Sequence, residues 1–189
     1  MMIARLSIAL GVGALTALVF WPAVSFEWLT YWDDGAHLQW NESYKGLSPA
    51  HLWWMAQPFL GQWIPVTWLS WAIDWSLWGL DPVGYHRTNV LLHALAAGLL
   101  FLVARRLIEA ALPECEDWIR TFGATVAALA WALHPLRVES VAWVNERRDV
   151  LSGVFCLLAV LAWLRAVDGH GQWWYSLGVV CFALGVLSK

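Results

Sequence analysis

Val90-Leu91-Leu92-His93-Ala94-Leu95-Ala96-Ala97-Gly98-Leu99-Leu100-Phe101-Leu102-Val103 holds no formally charged residue and runs almost directly into Arg105-Arg106. Extended back to Tyr85, it approaches the roughly 20 apolar residues that cross a bilayer core as a helix. Composition around it agrees. Apolar residues make up 60% of the 189-residue chain and charged residues 13%, and mean hydropathy is +0.57. A soluble domain with that content would expose large apolar patches. The chain therefore reads as an all-α integral membrane protein.

Outward from this run, spans are expected at 6–24, 85–104, 122–134, 150–165 and 173–188, about five in all. The first reads as an uncleaved signal-anchor, because apolar and aromatic residues continue past Ser25 through Trp28 to Trp32. The third and fourth are short and can borrow length from the flanking 138–144. Lysine and arginine placement sets orientation. With the N-terminus cytoplasmic, Arg5, Arg105, Arg106, Arg120 and Arg165 all fall inside. Lys45 is then the one lysine or arginine of the first outward loop, 25–84.

That loop is too apolar to be ordinary. Amphipathic aromatics favour the headgroup level, and many of the 17 tryptophans fall here. Leu52-Trp53-Trp54-Met55 and the stretch from Trp68 to Trp75 read as short interfacial helices, separated by Pro58 and Pro65. A net charge of −3 and the absence of any basic run argue against nucleic acid as a partner. Cys115, Cys156 and Cys181 show neither a disulfide framework nor metal-ligand spacing.

Charge is concentrated where it is most costly. The second outward loop, 135–149, carries Arg137, Glu139, Glu146, Arg147, Arg148 and Asp149 just after His134. Ionisable groups at membrane level pair with one another or line a cavity. Were 138–149 one helix, Glu139, Trp143, Glu146 and Arg147 would share one side. Arginines on the outward side break the positive-inside bias, and a guanidinium recognises phosphate oxygens bidentately. The alternative is salt bridging within the loop. Asp33-Asp34-Gly35 follows the first span. Two adjacent carboxylates repel, so one of them seeks a cation, a donor or a proton. Such a pair can serve as a base, hold a divalent cation, or form a solvated turn. His86, Asn89 and His93 share one face of the second span, either lining the site or bonding to a neighbouring helix.

These residues also carry a family pattern. The run from His134 to Trp143, with Glu146-Arg147-Arg148-Asp149-Val150-Leu151, resembles the signature of the transmembrane and tetratricopeptide-repeat O-mannosyltransferase family, especially its bacterial members. Asp33-Asp34, the block from Pro65 to Ser70 with Asp74, Gly79-Leu80-Asp81-Pro82, and His86 with Asn89 and His93 match as well.

The resemblance implies a partial GT-C-like fold in a bacterial inner membrane with its active site in the outward loops. It further implies a polyprenyl-phosphate sugar donor, with mannose as the sugar, and protein Ser/Thr hydroxyls as acceptors. It casts Asp33, Asp34 and Glu139 as catalytic acids, and Arg137, Arg147 and Arg148 as ligands of the departing lipid phosphate. His86, Asn89, His93, His134, Glu146 and Asp149 support them, and a divalent cation would sit at Asp33 and Asp34. Where the family carries His after the first-loop serine, this chain has Trp71, to which no role is transferred. Leu187-Ser188-Lys189 resembles the start of a further block, so more helices and the repeats are expected beyond it. A non-catalytic membrane anchor for a repeat scaffold is the alternative reading, and a transporter a weaker third.

Overall fold

The computed structural model describes residues 2–189 and is helical throughout its regular structure. Helix α1 (Met2–Phe20) continues into a 3-10 turn (Trp21–Ser25). Then come α2 (Pro49–Met55), α3 (Pro65–Trp78), α4 (Pro82–Ala111), α5 (Asp117–Ala132), α6 (Arg137–Ala142), α7 (Arg147–Val167) and α8 (Gln172–Val186). The stretches expected to be short helices in the first loop are helices, α2 and α3. Proline opens α2, α3 and α4, where its missing N–H costs nothing. Asp81 caps α4 by accepting from the Val83 N–H at 3.0 Å.

Three helical stretches are long and apolar enough to cross a bilayer: Ile3–Ser25, Pro82–Ala111 and Val144–Val167. The last gains its length from the flank before 150, as the sequence allows. Helix α8 is apolar but only 15 residues long, about 22 Å at 1.5 Å per residue. Helix α5 falls outside this group because its first turns hold Asp117 and Arg120, which turn into an ionic cluster. Its apolar part is 122–132, about 16 Å. The bundle's outer surface is apolar, with Leu10 74%, Leu18 71% and Phe182 64% exposed. An aqueous protein would hide such residues, whereas lipid solvates them.

Helix α4 is the central post, flanked by α1, α5 and α7. Small residues let α1 and α4 approach closely, as is common between membrane helices. A Cβ added at Gly98 would stand 2.9 Å from the Ala9 carbonyl oxygen, and one at Gly13 equally close to the Ala94 oxygen. Ala124, Ala128 and Ala132 recur every fourth residue on α5 and bury against Ala97 and Phe101 of α4. The loop 26–81 folds into a second, aromatic core. Leu38, Tyr44, Trp68, Trp71 and Tyr85 are all fully buried there. Trp71 is thus a packing residue, its ring 5.0 Å from that of Trp68.

Replacing Gly98 by Leu forces α1 and α4 apart. We expect a loss of about 1–3 kcal/mol, read as a lowered melting temperature in detergent. Gly11→Ala, with open space around the new Cβ, should be neutral or stabilise by up to about 1 kcal/mol.

Candidate functional site

The two outward motifs meet. Asp34 is buried, and both its oxygens accept hydrogen bonds. Oδ2 accepts from the Leu29 N–H at 2.9 Å and Oδ1 from the Trp143 indole N–H at 3.0 Å. Asp33, beside it, accepts from Asn145 Nδ2 at 3.3 Å. The Trp32 and Trp143 rings close the contact edge to face at 5.6 Å. Burial raises the Asp34 carboxyl above the ordinary carboxylate range. The donors on it draw it back, and the neighbouring charge of Asp33 adds a little to the rise.

Gly35 makes the acidic turn fit. A Cβ there would lie 2.3 Å from the Thr30 carbonyl oxygen and against the Trp40 ring. The Asp-Gly pair is therefore a close-packed corner and not a solvated turn. His37 braces it, with Nδ1 3.0 Å from the Asp33 carbonyl oxygen and its ring stacked on Trp68 at 5.8 Å. Burial lowers its basicity, so it braces as neutral imidazole near pH 7.

Trp143 reaches Asp34 because the chain breaks there. The stretch 138–149 is not the single helix expected. Helix α6 ends at Ala142, Trp143 is extended (φ −89°, ψ 121°), Val144–Glu146 is a 3-10 turn, and α7 starts at Arg147. Buried polar contacts outweigh helix continuity at this point. Asn89 Nδ2 donates to the carbonyls of Trp143 at 3.2 Å and Val141 at 3.4 Å. The common face proposed for Glu139, Trp143, Glu146 and Arg147 therefore does not exist.

Arg147 likewise departs from its expected role. Its side chain is fully buried, and its guanidinium is engaged on every side. It pairs with Asp74 at 2.5 Å and donates to Asn89 Oδ1 at 2.8 Å, Ser70 Oγ at 3.2 Å and the Tyr85 carbonyl at 2.7 Å. Thr88 donates to the other Asp74 oxygen at 2.9 Å. Fully buried, with four of its five N–H donors facing these partners, this arginine is not presented to a substrate phosphate; it holds α3, α4 and α7 together beneath the acidic corner. Asp74 and Ser70 were the residues the charge pattern did not assign. The available signal was a lone acid in a tryptophan-rich helix, one turn after a serine.

The remaining candidates divide between two cavities. One, of about 360 Å³, is lined by Arg137, Ser140, Asp149 and Lys189 at its polar end and extends along Ala96, Trp131, Gly153 and Cys156. Arg137 lies over the Trp131 ring at 5.4 Å and, among the described residues, pairs with no carboxylate. Asp149 accepts from Ser140 Oγ at 3.1 Å and pairs with Lys189. The Leu187-Ser188 carbonyls accept from the Val66 N–H and Thr67 hydroxyl of α3, which anchors this corner. The other cavity, about 650 Å³, holds Glu146, Arg148, Gln62 and Lys189. Arg148 pairs with Glu146 at 2.5 Å and donates to Gln62 at 2.8 Å.

Glu139 is exposed on α6. His134 is exposed too, its Nδ1 accepting from the Leu136 N–H at 3.2 Å, which fixes the turn into α6. His93 lines the first cavity while its Nε2 bonds the Ala132 carbonyl at 2.9 Å, and His86 is buried against Phe26. Asn89 and His93 thus take the helix-to-helix bonds that the sequence left open as an alternative to site lining. No three His, Cys, Asp or Glu side chains among the described residues group to hold a metal ion.

Relatives agree with the motif reading. The chain is 34% identical over 127 residues to protein O-mannosyl-transferase Tmtc1 of Drosophila melanogaster, covering 67% of this chain and 14% of the relative. It is 34% identical over 120 residues to tmtc2 of Xenopus laevis, 64% of this chain and 13% of the relative. Against TMTC2 of Homo sapiens the figures are 33% over 130 residues, 66% and 14%. The chain thus spans about a seventh of the length of the curated relatives it matches. No family model matches it, and no solved structure does.

Arg147→Met should destabilise the fold by about 3–5 kcal/mol, because it strands Asp74 in the interior. The double replacement Arg147→Met with Asp74→Leu should recover part of that. Thermal unfolding of the three proteins in one detergent checks the order.

Proposed function

We propose, because the chain resembles the protein O-mannosyl-transferase family over about two thirds of its length, that it is a membrane sugar transferase. It takes mannose from a polyprenyl-phosphate donor and passes it to Ser or Thr hydroxyls of proteins. The observation that carries this reading is a juxtaposition. The acids of the first motif are tied through Trp143 and Asn145 to the second motif. That motif flanks a cavity that is polar at one end and apolar along the helices. Such a shape suits a phosphate with an isoprenoid tail.

In this reading Asp34 takes the proton of the acceptor hydroxyl. The hydroxyl oxygen attacks the anomeric carbon, and the bond from that carbon to the lipid phosphate breaks with its electron pair on the phosphate. Arg137 meets the charge as it develops. It is the guanidinium left free beside the cavity, and Lys189 lines the same cavity. Helix α6 joins Arg137, at its start, to Trp143, the donor to Asp34 just past its end. Glu139 offers a second carboxylate from the exposed side. Each Asp34 oxygen accepts one N–H and keeps a lone pair for the proton, while a divalent cation would rest on the less buried Asp33, with donor phosphate oxygens supplying further ligands.

The three apolar helices fit membrane insertion. We assign the end with Arg5, Arg105, Arg106, Arg120 and Arg165 to the cytoplasm and the site to the outward side, with α5 and α8 completing five spans. On the resemblance of the motif to bacterial members we assign the chain to an inner membrane.

Transfer of labelled mannose from polyprenyl-phosphate mannose to a Ser/Thr peptide, by membranes carrying the protein, tests the reading. Asp34→Asn should lower the rate by about 10²-fold or more. Transfer that survives both this change and Glu139→Gln would leave the non-catalytic anchor. Asp34 works as the carboxylate, and burial raises its pKa. The rate should therefore fall with acidification at a pH above the ordinary carboxylate range, and the same ionisation lowers stability as pH rises through that pKa.

A further inference from the structure

At the opposite end of the bundle lies a second amphipathic cavity, of about 600 Å³, that sugar transfer does not use. Arg5 from α1, Arg105 and Arg106 from α4, and Arg165 from α7 stand around it. Sequence separates these side chains widely, yet the fold brings them together with Arg120 of α5. Three carboxylates answer the five arginines. Glu109 meets Arg5 at 3.4 Å, Arg105 at 3.5 Å and Arg120 at 3.9 Å. Asp117 pairs with Arg105 and Asp168 with Arg106. Within the cavity itself four arginines face two carboxylates, Glu109 and Asp168, so positive charge is in excess there.

Two observations say what that excess faces. Arg105 is 2% exposed, and its Nη1 is buried without a hydrogen bond, reaching Glu109 only as a long ion contact. Arg165 has no carboxylate partner among the described residues and lies over the Trp174 ring at 4.7 Å. Below the arginines the wall is hydrocarbon: Leu6, Leu102, Leu161 and Leu164. Cationic donors above an aliphatic wall, at the end of membrane-length helices, match a phosphate ester carrying an acyl chain.

We propose that this cavity binds the headgroup of an anionic phospholipid. The phosphate sits among Arg105, Arg106 and Arg165, and an acyl chain runs along the leucines. The lipid then supplies the negative charge the cluster lacks and links α1, α4 and α7 at this end. The proposal is independent of the transfer reading.

Melting of the purified 189-residue chain in detergent, with added phosphatidylglycerol, phosphatidylcholine or inorganic phosphate, tests it. Lipid retention by native mass spectrometry is measured alongside. Phosphatidylglycerol should be retained at least roughly tenfold better than phosphatidylcholine and should raise the melting temperature, while inorganic phosphate should do neither. Arg106→Gln with Arg165→Gln should abolish the preference and leave melting in phosphatidylcholine unchanged. Arg137→Gln, at the other end, should keep the preference. Equal retention of the two lipids overturns the proposal. So does protection by inorganic phosphate alone, or a preference lost in Arg137→Gln and kept in the Arg106/Arg165 variant. If the double variant does not fold, the wild-type comparison of the two lipids with inorganic phosphate decides.

Discussion

The buried guanidinium of Arg147 is the constraint on which the site depends. A charge in that position must be well partnered, and the partners come from two elements, Asp74 and Ser70 on α3 and Tyr85 and Asn89 on α4, which meet Arg147 at the head of α7. Through Asn89 the network takes hold of the Trp143 carbonyl. With its backbone fixed, Trp143 delivers an indole N–H to Asp34. Displacing the arginine would therefore loosen the acidic corner without touching it. The aromatic core below 26–81 serves the same end, since Trp68 carries His37 and His37 carries the Asp33 turn.

Seen from α4, the bundle has two ionic ends joined by hydrocarbon. At one end acids are buried and a cation, Arg137, is left over; at the other, four arginines stand around one cavity. Both ends border cavities whose walls turn apolar along the helices. Four helices gather the arginines of the second end around one cavity, which gives it a chemistry of its own.

Much of the helical framework was legible because apolar runs have no other use at this length. The acids and the 134–149 cluster were legible because charge is scarce in the chain, so each occurrence stands out. The direction of each charge was not. Nothing in Arg147-Arg148-Asp149 tells that the first points inward to Asp74 while the second reaches Gln62. That choice is made by an acid more than seventy residues away in sequence. The break at Trp143 was equally hidden, because neither proline nor glycine marks it and the cause is Asn89 on another helix. The third span, already short in sequence at 122–134, stays short in α5, since Asp117 and Arg120 commit its first turns to the arginine cluster.

In the proposed mechanism the reacting groups lie between Arg137 and the Asp33-Asp34 corner, with Arg147 kept out of contact with substrate. A structure of the protein bound to a non-transferable polyprenyl-phosphonate sugar tests this most directly. The account predicts the phosphonate within hydrogen-bond reach of Arg137, the sugar directed toward Asp34, and the Arg147–Asp74 pair intact. A phosphonate seated on Arg147 with that pair opened, or bound away from both motifs, would contradict it.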